Sequence, residues 1–108
     1  MEQQINKIEL CGLVGRSDIT PIQNTKVAHF SLATEYAYKG RDGGAIIDIT
    51  WFSCTAFEGP KIAPLERIQK GSKVHLIGRV RMQRYTDNTG CDRTHWEVIC
   101  NSLEIVEG

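Results

Sequence analysis

Residues 46–71, IIDITWFSCTAFEGPKIAPLERIQKG, change period half-way, and that change decides the architecture. From Ile46 to about Glu58 the chain alternates as a strand does, with successive side chains on opposite faces. Phe52, Cys54 and Ala56 form an apolar set suited to a core. Trp51, Ser53, Thr55 and Phe57 form the other set, an aromatic at each end and hydroxyls between them. Gly59 and Pro60 stop the strand. Ile62, Leu65 and Ile68 then recur at three-residue spacing, Lys70 falls in a last turn, and Gly71 is well placed just past a helix end. Pro64 is tolerated only in a first turn, so the spacing predicts one short helix whose regular part covers 63–70.

Strands flank this segment on both sides. Residues 5–15 read as a first strand with Gly12 inside it, and residues 16–25, with Asp18, Pro21 and Asn24, read as a loop. Residues 26–36 make a second strand, and Tyr38–Gly44 a glycine-rich hairpin loop into the third. After the helix, residues 73–86 form a fourth strand, Asp87-Asn88-Thr89-Gly90 a turn, and residues 93–106 a fifth. The result is an all-β chain with one short helix between strands three and four, the order of a five-stranded OB-fold Greek-key barrel over a single domain, 1–108. On pattern alone, an SH3-like barrel or a sandwich edge stays open.

The 108 residues suffice for one domain with its own core. No apolar run reaches the length of a membrane span, and the start has no basic region followed by an apolar stretch. The expectation is a cytoplasmic protein with no membrane partner. Cys11, Cys54 and Cys100 read as small hydrophobes in a reducing compartment. Cys91, His95 and Cys100 lie close in sequence, but their spacing fits no zinc motif, so no metal and no cofactor is expected. Catalysis has little support either. His29, His75 and His95 are dispersed, no carboxylate pair converges, and GRDGG lacks the lysine and following helix of a phosphate-binding loop.

Formal net charge is zero, which argues against binding a duplex by bulk charge. The charge is nevertheless segregated. Residues 61–93 hold eight Lys and Arg against three acids, and from Thr94 onward only Glu97, Glu104 and Glu107 are charged. In the fourth strand, Val74, Leu76, Gly78, Val80 and Met82 suit a core, while Lys73, His75, Ile77, Arg79, Arg81, Gln83 and Tyr85 share the outward face. An outward face with rings and cations matches the chemistry of single-stranded nucleic acid, whose bases stack on aromatics while its phosphates meet Lys and Arg. On the third strand alone, Trp51 as a half-buried core aromatic stays open. Trp96 shares a face with Val98 and Cys100 and is expected to pack in the core.

Five stretches then become recognisable: INKIELCGLVG, VAHFSLAT, TWFSCTAF, QKGSKVHLIGRV and RYTDNTGCDRTHWEV. In this order, and over nearly the whole chain, they resemble the bacterial single-stranded DNA-binding proteins of the homotetrameric OB-fold type. The resemblance implies base-stacking roles for Tyr38, Trp51, Phe57 and Tyr85, two of them tyrosine where the best-known members carry tryptophan. It implies phosphate-contacting roles for Lys7, Lys70, Arg81, Arg84 and Arg93; the face reading adds Lys73 and Arg79. Ser53 stands at a position often basic in relatives. The implied partner is single-stranded DNA, bound by a homotetramer or a dimer on the nucleoid during replication, recombination and repair. The family usually continues into a flexible tail with an acidic tip that recruits replication and repair proteins. This sequence stops at Glu107-Gly108, with the tail either naturally absent or removed, and the resemblance implies DNA binding in both cases. Two alternatives are a tail-less primosomal replication protein that binds DNA and a helicase, and an interaction module that bridges proteins without DNA.

Overall fold

In the computed structural model, which describes residues 3–107, five strands carry the chain. They are β1 (Ile8–Ile22), β2 (Thr25–Lys39), β3 (Ala45–Phe57), β4 (Lys73–Thr86) and β5 (Asp92–Ile105). They close into a barrel in the order β1-β2-β3-β5-β4, the expected Greek-key class. Met1, Glu2 and Gly108, at the ends of the single domain expected from sequence, lie outside the described residues. Every pairing is antiparallel except β3 with β5, which meet only at Cys54↔Val98 and Thr55↔Ile99. Because that contact is short, β3 and β5 splay apart on its N-terminal side. Among the described residues no helix is long and apolar enough to cross a membrane.

The alternation read from sequence builds the core. Leu32, Val27, Val74, Leu76 and Ile68 are essentially inaccessible, with Phe30, Cys54, Ala56, Val98 and Leu103 packed among them. Two strand glycines let neighbouring backbones approach. A Cβ at Gly12 would lie 2.1 Å from the Ala33 carbonyl oxygen, and one at Gly78 would lie 2.1 Å from that of Ile99. No side chain fits at either place.

Several expectations need correction. The helix over 63–70 shrinks to a single 3-10 turn, Leu65–Arg67. Residues 61–63 are drawn out alongside β5 instead: the Leu103 N–H bonds to the Lys61 carbonyl and the Ala63 N–H to the Leu103 carbonyl. Ile68 is already extended, and the Gly71 N–H bonds to Val14 of β1 rather than capping a helix. Leu65 and Ile68 are buried as their spacing required, but pairing with the barrel satisfies the backbone on either side. The loop expected over 16–25 is mostly strand. β1 runs through Pro21 to Ile22 and turns at Gln23-Asn24, with Gln23 at φ 51°. Pro21 is tolerated because this half of β1 pairs only with β2. Cys11 is exposed, unlike buried Cys54 and Cys100.

Candidate nucleic-acid interface

The outward face of β3 supplies the clearest platform. Trp51 is 59% exposed, yet its ring does not hang free. A Cβ on Gly15 would lie 2.5 Å from Trp51 Cζ3 and 2.7 Å from Cη2, so the indole rests across the β1 backbone at that glycine. Gly15 falls at the register shift between Val14 and Arg16, where β1 kinks under the ring. One side of the indole is seated and the rest remains open to solvent.

The other three expected rings are all exposed, but they do not share one surface. Phe57 lies six residues along β3 from Trp51, about 20 Å of strand. Tyr38 is on the hairpin arm that β2 and β3 extend past the barrel; its ring centroid is 6.2 Å from that of Tyr36, an aromatic that sequence reasoning did not single out. The unbroken register pairs Ala33 with Trp51 and Tyr38 with Ile46, so the two tyrosines project from the opposite side of this ribbon to Trp51. Tyr85 stands on the β4–β5 hairpin, opposite Arg93 and beside Arg84.

The hydroxyls between the rings have different fates. Ser53 is exposed, whereas Thr55 is 2% exposed, which corrects its placement on a wet face. Its hydroxyl donates to Glu97 Oε2 at 2.8 Å, and so accepts from His29 Nδ1 at 3.2 Å. Arg81 donates through Nε to Glu97 Oε1 at 2.9 Å and through a second guanidinium nitrogen to the same oxygen. Burial pushes the Glu97 acidity toward the neutral form. The bonds from Arg81 and Thr55 outweigh it and hold the carboxyl below its ordinary range.

The expected cations divide into two groups. Arg81 is matched by Glu97, and Arg93 by Asp87 at 2.8 Å. Asp87 also accepts from Thr89 and Cys91, and these bonds hold its carboxyl far below the usual range and fix the hairpin tip. Lys7, Lys70, Lys73, Arg79 and Arg84 are exposed and have no ion-pair partner among the described residues. Asn6 pairs with the Val80 main chain through both amide atoms, and the register continuing from Ile8↔Gly78 places Lys7 opposite Arg79. Lys70 and Lys73 lie at the far end of β4, roughly 40 Å of strand from Tyr85.

The family model described as "Single-strand binding protein family" matches residues 5–106. The chain belongs to this family. Among its relatives are single-stranded DNA-binding proteins of Neisseria meningitidis serogroup A and Xanthomonas axonopodis pv. citri, each 28% identical. The alignments cover 96% and 100% of this chain and 61% of each relative, so the chain spans about three-fifths of their length. Two solved structures share the fold. One, described as a Plasmodium falciparum SSB complex with ssDNA, has TM-score 0.82 and 24% identity over 99% of both chains. A Thermus aquaticus single-stranded DNA binding protein, a deletion mutant, has TM-score 0.76 and 16% identity over 96% of this chain and 51% of that one.

Within this member of the single-strand binding protein family, one aromatic departs from its expected place. Trp96 is 61% exposed, not packed in the core. It does point to the inward face, opposite Met82, but beyond the end of the packed interior. Together with Trp51, Phe52, Val80 and Ile8 it lines the cleft where β3 and β5 splay. Periodicity assigned its face correctly; the length of β5 relative to the core put it in solvent. Gly15 was legible only as a strand end, and nothing in the sequence tied it to a ring 36 positions away.

Proposed function

We propose that this chain binds single-stranded DNA with little sequence preference and without catalysis, protecting and organising it during replication, recombination and repair in the cytoplasm. The observation that carries the reading is Trp51, an indole seated on Gly15 with a large open surface. A base stacked on such a ring contributes about 1–3 kcal/mol whatever its identity. Tyr85 with Arg84 on the β4–β5 hairpin, and Lys7 opposite Arg79, add a second ring and cations that have no ion-pair partner among the described residues. The family's relatives are named for the same ligand. Assembly into a homotetramer accompanies this function. Its support is apolar surface at the open end of the barrel, where Met82 and Trp96 are exposed side by side next to Phe52, a patch of the kind that isolated chains rarely leave bare. Titration with oligo-dT of several lengths, with mass followed by light scattering, tests both parts. Saturable binding by a four-chain species is expected. Absence of binding, or equal affinity for duplex and single strand, would overturn the reading.

A further inference from the structure

Three clefts meet at one residue that neither the ring positions nor the cation positions include. Trp51 and Trp96 line a cleft of about 400 Å³ between the splayed ends of β3 and β5. Arg16, His29 and Ser53 line a second of about 300 Å³, and Gln83, Arg84 and Tyr85 a third of about 540 Å³ along the β4–β5 hairpin. His95 lines all three. It is exposed and pairs with Gln83 across the ladder, and its side chain makes no hydrogen bond or ion pair among the described residues. The surface that joins the Trp51 platform to the Tyr85 platform therefore passes over an imidazole whose one electrostatic tie is to the nearby Glu97 carboxylate, which it helps Arg81 and Thr55 to hold low.

We propose that His95 contacts the DNA strand between those two platforms, its ring N–H donating to a phosphate oxygen. This rests on the single-stranded DNA reading given above. The rings at either end take base faces, while the surface between them offers donors: the His95 ring, the Gln83 amide, the Ser53 hydroxyl and the Arg84 guanidinium. The surrounding charges do not oppose an anion. On β5 and β4, Glu97 is matched by Arg81, Arg93 is matched by Asp87, and Arg84 is unpaired among the described residues. Across the clefts, Asp18 on β1 lies 3.6 Å from Arg16, and His29 on β2 bonds to Thr55. A phosphate arriving at His95 meets paired or cationic neighbours. An imidazole donates from both ring nitrogens only when protonated, so the contact is favoured at the more acid of two pH values.

The test compares wild type, Trp51→Ala, His95→Ala and His95→Lys against oligo-dT at pH 6 and pH 8 over a range of salt, with light scattering on each. Trp51→Ala weakens binding at both pH values. His95→Ala is expected to weaken binding about three- to fivefold at pH 6, the range of one exposed charge pair. It also flattens the difference between pH 6 and pH 8, and lowers the salt slope by about 0.7. His95→Lys keeps the pH 6 affinity at pH 8. If wild type does not bind, or Trp51→Ala binds like wild type, the underlying reading falls. If those two behave as expected but His95→Ala keeps wild-type affinity, slope and pH profile, only the contact is refuted. A His95→Ala defect equal at both pH values, altered in mass or not rescued by lysine, assigns the residue to packing and refutes the contact as well.

Discussion

Replacing Gly15 with alanine separates the platform from its ring. The new Cβ would lie 2.5 Å from Trp51 Cζ3, 2.7 Å from Cη2 and 3.0 Å from Ser31 Oγ. Those ring atoms are at the far end of a rotatable side chain, so the indole swings off β1 while the backbone stays in place. The alanine also lowers unfolded-state entropy, about 0.4–1 kcal/mol in favour of the fold. That roughly offsets the lost ring contact, and the melting temperature is expected to move by less than about 5 °C. Gly78→Ala is the contrast. Its Cβ would lie 2.1 Å from the Ile99 oxygen and 2.9 Å from the Ile99 carbonyl carbon, and backbone cannot swing away. β4 and β5 must part, with a loss above about 3 kcal/mol, the upper end for forcing atoms into a packed interior. Binding reverses the ranking for Gly15→Ala. A stack worth about 1–3 kcal/mol corresponds to about 5- to 150-fold in Kd. Gly15→Ala should fall between wild type and Trp51→Ala, read by anisotropy with labelled oligo-dT beside a thermal melt. In a Trp96→Phe background the Trp51 emission should shift to the red as the ring loses its seat. If Gly15→Ala binds like wild type while Trp51→Ala is weakened, the seat plays no part in the platform. If the two glycine variants melt alike, the close-approach argument is wrong.

Arg81→Ala leaves the buried Glu97 carboxylate with only Thr55, a loss expected toward the low end of about 3–5 kcal/mol because Arg81 is partly exposed. Because the folded Glu97 carboxyl is held low, its contribution is present above the unfolded pKa and disappears as pH falls through the folded value; urea unfolding from pH 7 to pH 3 should show this for wild type and much less for Arg81→Ala. His75 has the opposite sign. Hydrogen bonds that its ring donates to Glu9 and then Glu104 raise its pKa, so its contribution is full below the ordinary imidazole pKa and lost as pH rises through the raised one. The melting-temperature difference between wild type and His75→Gln should shrink from pH 6 to pH 9, and an unchanging difference would refute the cross-strand bridge. Burial pushes the Cys54 and Cys100 thiols up to about 12, whereas Cys11 and Cys91 are exposed. A thiol reagent at pH 8 should consume two thiols quickly and the other two only on unfolding; four fast thiols would contradict the core assignment.

What could be read from the sequence, and what could not, follows from where the deciding partner lies. In β4 the deciding pattern is local: Val74, Leu76 and Gly78 alternate inward, and the structure buries all three. The Asp87–Gly90 turn is equally local, because Asp87 bonds only to residues within six positions. In residues 16–22 the local signals, Asp18 and Pro21, favour a loop, but β2 supplies a continuous ladder that overrides them. Residues 62–68 had helical spacing, yet β5 takes the backbone of 61–63 and β1 that of Gly71 and Ser72, leaving only the single turn between them. At Thr55 and Trp96 periodicity named a face correctly and burial wrongly. Thr55 points outward but lies beneath Glu97, Arg81 and His29; Trp96 points inward but past the end of the core. Periodicity reports direction. It carries no information on how far along a strand the packed interior extends, and strands of 13–15 residues outrun a small barrel.

The zero net charge takes on a specific meaning once the pairs are known. Residues 61–93 carry a basic excess, but Arg67 already serves Glu107, and Arg81 and Arg93 serve Glu97 and Asp87. The last two pairs set the β4–β5 ladder and its hairpin tip, so their charge shapes the surface more than it attracts a polyanion. Lys70 and Lys73 are unpaired among the described residues but far from Tyr85, and they can join the same strand of DNA only if it wraps the barrel. Near the rings, Lys7 with Arg79, Arg84 beside Tyr85, and Lys39 and Arg41 next to Tyr38 have no ion-pair partner among the described residues. In the proposed complex these dispersed cations supply a salt-dependent share of binding, whereas each exposed ring offers a stack worth about 1–3 kcal/mol that salt leaves in place. The stacks are then the part of the proposed affinity that survives high salt, and there the seat that Gly15 provides for Trp51 is expected to matter more than any single cation on β4.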